Sequence, residues 1–209
     1  MSTKRTKRTQ VTDNQTLASL VSDLFAPSPS PVDSDQSAVL AAYLTLLLKW
    51  SRQINLTGFR DAQSAAAGLL YDATEMAPLV NRGAMVLDVG AGAGGLAVTL
   101  AVLRPDIKLR VVEPRNKRAV FLRTLRRELQ LADRFEVVQA RAEELAVEGG
   151  EVDAADVAYA QAVMSPEEWL PLGRRLKIIP SAFHQSTKML RQDSIIMVTD
   201  IIRRKLDGG

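Results

Sequence analysis

The sequence predicts an α/β protein built on an open, doubly wound and mostly parallel sheet. From residue 84 onward, short apolar runs of strand length alternate with amphipathic segments of helical period. A glycine-rich turn, GAGAGG over residues 90–95, joins the first of these runs to the first helix of the region. Strands that alternate with helices are joined by right-handed crossovers, which place the strands parallel in one sheet.

The N-terminal part of the chain is predicted to be helical after an irregular start. Residues 1–37 are expected to be a basic tail and a linker rich in proline and serine, with one short helix over 17–25. Residues 38–82 are expected to form a helical subdomain, whose first helix ends near Trp50. Its apolar stripe at helical spacing consists of Leu40, Tyr43, Leu44, Leu47, Leu48 and Ser51.

The sheet domain is predicted to span residues 83–176. Its strands are expected at 84–89, 108–113, 135–140 and 155–160, and its main helices at 94–103 and 116–131. Parallel strands end at the same edge of a sheet, and ligands of such sheets bind along that edge. We therefore expect the residues near the strand ends to share one rim: Asp88, Glu113, Ala142 and Ala160.

Residues 177–209 depart from the rest of the chain in composition. Isoleucine occurs twice through residue 176 and six times after it. The segment is short for several further strands with crossovers, and the sheet is accordingly predicted to be incomplete at its C-terminal end. We interpret the segment as a rearranged or frame-altered C-terminus, or alternatively as a divergent end that supplies one strand over 194–200 and a short helix.

The composition excludes several classes of site. The chain has no cysteine and one histidine, His184, which excludes disulfides and thiolate metal sites and argues against any metal centre. No apolar run approaches the roughly 20 residues of a membrane helix. We therefore expect a soluble protein of the reducing cytoplasm that acts without a metal or a membrane. The net charge of +3 is small, although the basic residues cluster.

The glycine-rich turn fits two kinds of nucleotide ligand. Gly90, Gly92 and Gly95 satisfy the G-x-G-x-x-G pattern of dinucleotide sites. Asp88, Gly90, Gly92 and Gly94 satisfy D-x-G-x-G-x-G, which resembles the loop of class I S-adenosylmethionine methyltransferases. A nearby carboxylate repels a pyrophosphate, whereas S-adenosylmethionine carries a sulfonium and an ammonium group. Asp88 therefore favours S-adenosylmethionine as the cofactor.

Two further acidic residues lie where a nucleoside would be bound. Glu113 follows Gly94 by 19 residues and ends the second predicted strand, where it can accept hydrogen bonds from both ribose hydroxyls of either cofactor. Glu143 follows the third strand, near the place expected for adenine, although an acid at a helix start is also commonly solvated. The glycines and acids together favour cofactor binding over a purely structural turn.

Four segments make the chain similar to one known family. They read LLLKWSRQINLTG, VLDVGAGAGG, RNKRAVFLRTLRRELQL and RAEEL, and the resemblance covers residues 36–176. The chain is thereby identified as a divergent member of the ribosomal RNA small-subunit methyltransferase G family, also called glucose-inhibited division protein B. The resemblance implies a Rossmann-like class I methyltransferase fold, S-adenosylmethionine as cofactor, and methylation of the N7 of a guanine in 16S ribosomal RNA.

The chain departs from this family's pattern at three places. Where the family usually reads R-H-x-L-D-S, the chain has GLLYDA, so that Gly68 and Leu69 replace the basic pair and Ala73 replaces the serine. After the third glycine the family continues with F/L-P-G, whereas this chain has GLA at 95–97. Gln161 stands where the family has the arginine of S-R-A, and a neutral amide cannot replace the bidentate contacts of a guanidinium.

Two sets of candidate site residues follow. The cofactor site is expected to comprise Asp88, Gly90, Gly92, Gly94, Gly95, Glu113, Ala142, Glu143 and Gln161. The basic helix within 115–127 is expected to present five cations to RNA phosphates, although such a face is often merely solvated. These five are Lys117, Arg118, Arg123, Arg126 and Arg127.

Three functions remain open at this point. The first is a 16S ribosomal RNA guanine-N7 methyltransferase, which the resemblance favours. The second is a degenerate relative that binds cofactor or RNA without turnover, which the lost family residues favour. The third is a small-molecule methyltransferase or a nucleotide-dependent oxidoreductase. The sequence assigns no catalytic residue and leaves the oligomeric state open.

Overall fold

A five-stranded sheet forms the centre of the protein. The computed structural model describes residues 13–145, 155–161 and 196–200 of the chain, with side chains through residue 160. The strands are β1 (Met85–Val89), β2 (Lys108–Val112), β3 (Phe135–Val138), β4 (Val157–Gln161) and β5 (Ile196–Asp200). Their order across the sheet is β3-β2-β1-β4-β5.

The topology confirms the predicted open, doubly wound α/β sheet. Pairs β1–β2, β2–β3 and β1–β4 are parallel, and β5 runs antiparallel to β4. The chain proceeds from β1 outward to β3 on one side, and then returns to place β4 on the other side of β1. The reversal creates a crevice at the carboxyl ends of β1 and β4, where such sheets bind ligands.

The helices begin and end close to the predicted positions. They are α1 (Asn14–Phe25), α2 (Ser34–Ser51), α3 (Ala62–Leu69), α4 (Asp72–Met76), α5 (Gly95–Leu103), α6 (Asn116–Glu128) and α7 (Ala142–Leu145), with a 3₁₀ turn at Ala77–Leu79. Helix α2 begins earlier than expected because Asp33 and Gln36 form a capping box, with their side chains accepting from each other's backbone N–H at 2.8 and 3.0 Å.

Alternate residues of the strands pack into two separate hydrophobic clusters. Val86 and Tyr159 belong to the larger cluster, which also includes buried residues of α1 to α6. Leu87 and Ala158 point to the opposite face, where small residues pack with Ala142 of α7. This alternation is the period-two pattern of a strand that is buried on both faces.

Helix α1 is part of the core, although it lies within the stretch 1–37 that we expected to be tail and linker. Leu17, Val21 and Phe25 are buried on it, and α1 packs against α2. The helical elements and the sheet share the larger hydrophobic cluster. The predicted boundaries at 37/38 and 82/83 therefore do not separate independent cores.

The C-terminal segment contributes a strand to the described part of the sheet. Residues 196–200 pair with β4, in the region where a single strand over 194–200 was the alternative expectation. Residues 162–195, which include His184, and residues 201–209 lie outside the described residues. Among the described residues, no helix has the length and apolar character needed to cross a bilayer, and no group of three potential metal ligands occurs.

Arg104, at the end of α5, holds the connection that leads into β1. One guanidinium nitrogen donates to the carbonyl oxygens of Ala77 and Val80, both at 2.6 Å. The other nitrogens donate to the Asn81 carbonyl at 3.3 Å and to both oxygens of Asp106 at 2.8 Å. The arginine thus satisfies three backbone carbonyls that precede the strand carrying the glycine loop.

Arg104→Met is expected to lower the free energy of unfolding by about 1–3 kcal/mol, because partly buried carbonyls lose a charged donor. Urea unfolding followed by circular dichroism measures the change. Arg127→Met is the matched control, since Arg127 forms an exposed ion pair with Glu128, and it should change stability by less than about 0.5 kcal/mol. Equal effects of the two substitutions would contradict the assigned role of Arg104.

Candidate functional site

The glycine loop after β1 turns across the end of β2. The backbone N–H groups of Gly90 and Ala91 both donate to the carbonyl of Val112, at 2.8 and 3.1 Å. Gly90, Gly92 and Gly94 have φ values of 77°, 57° and 72°, a region that side chains other than glycine rarely adopt. The alternating glycines therefore exist because the turn requires left-handed backbone at alternate positions.

Glu113 fixes this loop in place. One carboxylate oxygen accepts from the N–H of Gly92 at 3.0 Å, and the other accepts from the N–H of Arg115 at 2.8 Å. The residue is only 3% exposed. Each carboxylate oxygen can accept a second hydrogen bond, so Glu113 retains acceptor capacity for the ribose hydroxyls that the sequence predicted as its partners.

Asp88 is a buried carboxyl group at the same edge. It is 3% exposed and lies opposite Tyr159 in the parallel register of β1 and β4. The pKa of the Asp88 carboxyl group is raised to about 7, mainly by burial. The Tyr159 hydroxyl lowers this pKa, and the charge of Glu113 raises it. A cation bound beside Asp88 would favour the ionised form, so the site is suited to a cationic ligand.

These groups surround a cavity of about 450 Å³ at the carboxyl ends of β1, β2 and β4. It brings together the predicted residues Asp88, Gly90, Gly92, Gly95 and Glu113. The other lining residues are Leu56, Thr57, Gly68, Leu69, Ala91, Ala93, Leu96, Pro114, Arg115, Arg118 and Tyr159. Buried acidic groups, together with an apolar wall of Leu56, Leu69 and Leu96, fit a cofactor that carries cationic groups, such as S-adenosylmethionine.

Gly94, Ala142 and Glu143, which were also predicted for the cofactor site, do not line this cavity in the described part of the structure. Gly94 caps the start of α5, where an added Cβ would come within 2.5 Å of the Leu122 side chain. Ala142 and Glu143 begin α7. Gln161 ends β4 opposite Ile196, and its side chain lies outside the described part of the structure.

A second cavity adjoins the first. It has a volume of about 420 Å³ and is lined by Pro114, Arg115, Gln139, Ala140, Arg141 and Glu144. Pro114 and Arg115 line both cavities, so a ligand in one can extend toward the other. The second cavity lies beside the start of α7, which explains why Ala142 and Glu143 are close to the site without lining the first cavity.

Sequence reasoning missed the contribution of the N-terminal helices and of Tyr159. Leu56 and Leu69 line the cavity from the helical part, far from the glycine loop in sequence. Leu56 belongs to the Asn-Leu-Thr segment on which the family resemblance was based, and that segment was the available signal. No role was predicted for Tyr159 from the sequence.

The structure gives a physical reason for glycine at position 95. A Cβ there would lie 2.7 Å from the Leu69 Cβ, 2.8 Å from the Leu69 carbonyl oxygen and 3.2 Å from the Tyr43 hydroxyl. The end of α3 therefore packs directly on the first residue of α5. The family's apolar side chain at this position is absent, but Leu69 and Leu96 supply apolar surface to the same cavity.

The predicted RNA-binding cations differ in their surroundings. Arg118 lines the first cavity, and Lys117 is exposed beside it in α6. Arg123 donates to the Gln139 side chain, Arg126 donates to the Ala132 carbonyl, and Arg127 pairs with Glu128. The cations at the start of α6 are therefore the ones nearest to a ligand in the cavity.

Comparison with known proteins identifies relatives of one kind. The family model described as rRNA small subunit methyltransferase G matches residues 36–177. A ribosomal RNA small subunit methyltransferase G of Pseudomonas aeruginosa is 38% identical over 112 residues, which cover 54% of this chain and 52% of the relative. The protein of that name from Anaeromyxobacter sp. is 32% identical over 145 residues, covering 69% and 66%. These matches confirm the family predicted from the sequence.

The chain spans about half the length of the curated relatives it matches, 52% in the Pseudomonas aeruginosa protein. Among solved structures, the C-terminal domain of precorrin-6Y C5,15-methyltransferase from Rhodobacter capsulatus is 22% identical and has a TM-score of 0.36. That alignment covers 56% of this chain and 72% of the other. A likeness of this size carries no argument about function.

Gly95→Ala is expected to lower the free energy of unfolding by about 1–3 kcal/mol, because α3 and α5 must move apart to admit a methyl group. Chemical denaturation measures this effect. Gly58→Ala is the matched control, since a Cβ at Gly58 meets nothing within 4 Å, and it should be neutral or slightly stabilising. If the two variants were equally stable, α3 would not be packed on α5 as described.

Proposed function

The chain belongs to the rRNA small subunit methyltransferase G family, and we propose that it transfers a methyl group from S-adenosylmethionine to the N7 of a guanine in 16S ribosomal RNA, in the cytoplasm. The observation that carries this proposal is the cavity in which the buried carboxyl groups of Asp88 and Glu113 meet the glycine loop. Carboxylates beside the glycine loop disfavour a pyrophosphate at that loop, so the oxidoreductase alternative is not favoured.

The chain would hold the cofactor through groups of complementary charge. S-adenosylmethionine, when bound, supplies a methyl group activated by its sulfonium. Asp88 would attract the cationic end of the cofactor, and Glu113 would accept from the ribose hydroxyls with its remaining lone pairs. The second cavity would receive the adenine, next to Ala142 and Glu143, and Gln161 would complete the site at the end of β4.

The acceptor requires orientation rather than deprotonation. Guanine N7 carries a lone pair and no proton, so methyl transfer to it needs no general base. Leu56, Leu69 and Leu96 give the cavity an apolar wall that excludes water and can pack against a flat base. The protein's contribution is then to align the N7 lone pair with the methyl group, and proximity of this kind is worth several orders of magnitude in rate.

The start of α6 would contact the RNA backbone. Arg115 and Arg118 line the cavity and Lys117 is exposed beside them, so a phosphate flanking the target base would meet positive charge. Arg123, Arg126 and Arg127 extend this face farther from the cavity, and their contacts with neighbouring groups weaken them as phosphate ligands. We therefore propose that Arg118 contributes most among the five predicted cations.

S-adenosylhomocysteine is expected to bind the protein and NAD is not, as measured by isothermal titration calorimetry near pH 8. Asp88→Asn should weaken S-adenosylhomocysteine binding by about 10- to 100-fold, since an interaction between charged groups is lost without a change in size. Comparable binding of NAD, or an unchanged affinity in the folded Asp88→Asn protein, would count against this cofactor assignment.

Arg118→Gln should weaken binding to 16S ribosomal RNA. The plot of log affinity against log salt concentration should become less steep, with the magnitude of its negative slope reduced by about 1. Arg82→Gln is the control, because Arg82 is exposed before the amino end of β1, at the edge opposite the cavity. Methyl transfer from labelled S-adenosylmethionine to the same RNA should fall with the affinity. If the unaltered protein binds the cofactor but transfers no methyl group, we would instead conclude that it is a non-catalytic member of the family.

A further inference from the structure

Tyr159 occupies an unusual position for a buried tyrosine. Its Cα is the register partner of Asp88 in the pairing of β1 and β4, and both side chains line the cavity. Tyr159 is fully buried and Asp88 is 3% exposed. Side chains of register partners in adjacent strands lie on the same face of the sheet, so the phenol and the carboxyl group are neighbours on the cavity floor.

The Tyr159 hydroxyl has no hydrogen-bond partner of good geometry among the described residues. Tyr43, the other fully buried tyrosine of the described residues, differs in this respect because its hydroxyl donates to the Ala93 carbonyl at 3.1 Å. A buried hydroxyl without a partner is destabilising, and the neighbouring Asp88 carboxylate is an acceptor available to it.

We propose that Tyr159 is a positioning residue for the cofactor, whose hydroxyl donates to the Asp88 carboxylate and holds it ionised toward the cationic end of the ligand. This inference rests on the proposed function. The pair then forms a small polar unit, in which the phenol supplies the proton and the carboxylate supplies the charge. The ligand class it selects is a compound with an ammonium or sulfonium group.

The electrostatics of the cavity agree with this arrangement. Burial raises the pKa of Tyr159 well above its ordinary value, so the hydroxyl remains a donor throughout the neutral range. The pKa of Asp88 is raised to about 7, and burial is the largest cause. The Tyr159 hydroxyl lowers this pKa, whereas the charge of Glu113 raises it. The other charged groups that line the cavity in the described residues are Arg115 and Arg118.

The consequence is a pH dependence with a definite sign. A cationic ligand binds the ionised form of Asp88, so its affinity should be lost as the pH falls below about 7 and should level off above it. Removal of the Tyr159 hydroxyl removes a group that lowers the Asp88 pKa. The midpoint of the affinity profile should therefore move upward, by about one pH unit for a single hydrogen bond to a charged group.

The experiment compares S-adenosylhomocysteine affinities of the unaltered protein and of Tyr159→Phe by calorimetry, from about pH 5.5 to about pH 8.5. The aromatic ring is retained in the variant, so packing is preserved. Tyr43→Phe is the matched control: it loses a hydroxyl that contacts the glycine loop, and its midpoint should not move whatever its affinity. An unmoved midpoint in Tyr159→Phe, with binding intact, overturns the inference.

A second measurement separates this inference from the proposed function. The carboxyl carbon of Asp88 can be titrated by NMR in the ligand-free proteins, and Tyr159→Phe should raise its pKa by a similar amount. A raised pKa without S-adenosylhomocysteine binding by the unaltered protein would refute the proposed cofactor, and with it the positioning role. Equal Asp88 pKa values in the two proteins would refute the pairing of Tyr159 with Asp88 itself.

Discussion

The geometry of the candidate site depends on the carboxylate of Glu113. Its two oxygens accept from the backbone N–H groups of Gly92 and Arg115, and so tie the end of β2 to the glycine loop and to the start of α6. The same negative charge helps to raise the pKa of Asp88 across the cavity. One buried acid thereby fixes the shape of the loop and adds to the effect of burial on the Asp88 pKa.

The sheet and its acidic edge could be predicted because they follow from local sequence patterns. Apolar runs of strand length that alternate with helical periods predict that β1 to β4 are parallel strands of one sheet, and the parallel connection then places Asp88 and Glu113 at one edge. The short strand after residue 194 was predicted only as the alternative to a rearranged or frame-altered C-terminus, from an apolar run. None of these predictions required knowledge of which residues far apart in sequence come into contact.

The rest of the site depends on contacts between segments far apart in sequence, which local patterns do not encode. Gly95 looked like the loss of an apolar side chain, whereas the approach of Leu69 from α3 leaves no room for one. Helix α1 lay in a stretch that appeared to be a linker, yet it is packed in the core. The place of Tyr159 in the site follows only from the strand register, which puts it opposite Asp88.

The distribution of charge in the cavity bears on how catalysis could be achieved there. The proposed methyl transfer would move one positive charge from sulfur to the base within the same cavity, so the acidic groups Asp88 and Glu113 would attract the charge before and after the transfer. Such uniform attraction favours binding but does not by itself accelerate the reaction. Acceleration must then come from alignment of the reacting atoms, for which the apolar wall of Leu56, Leu69 and Leu96 and the rigid glycine loop are the available structural means.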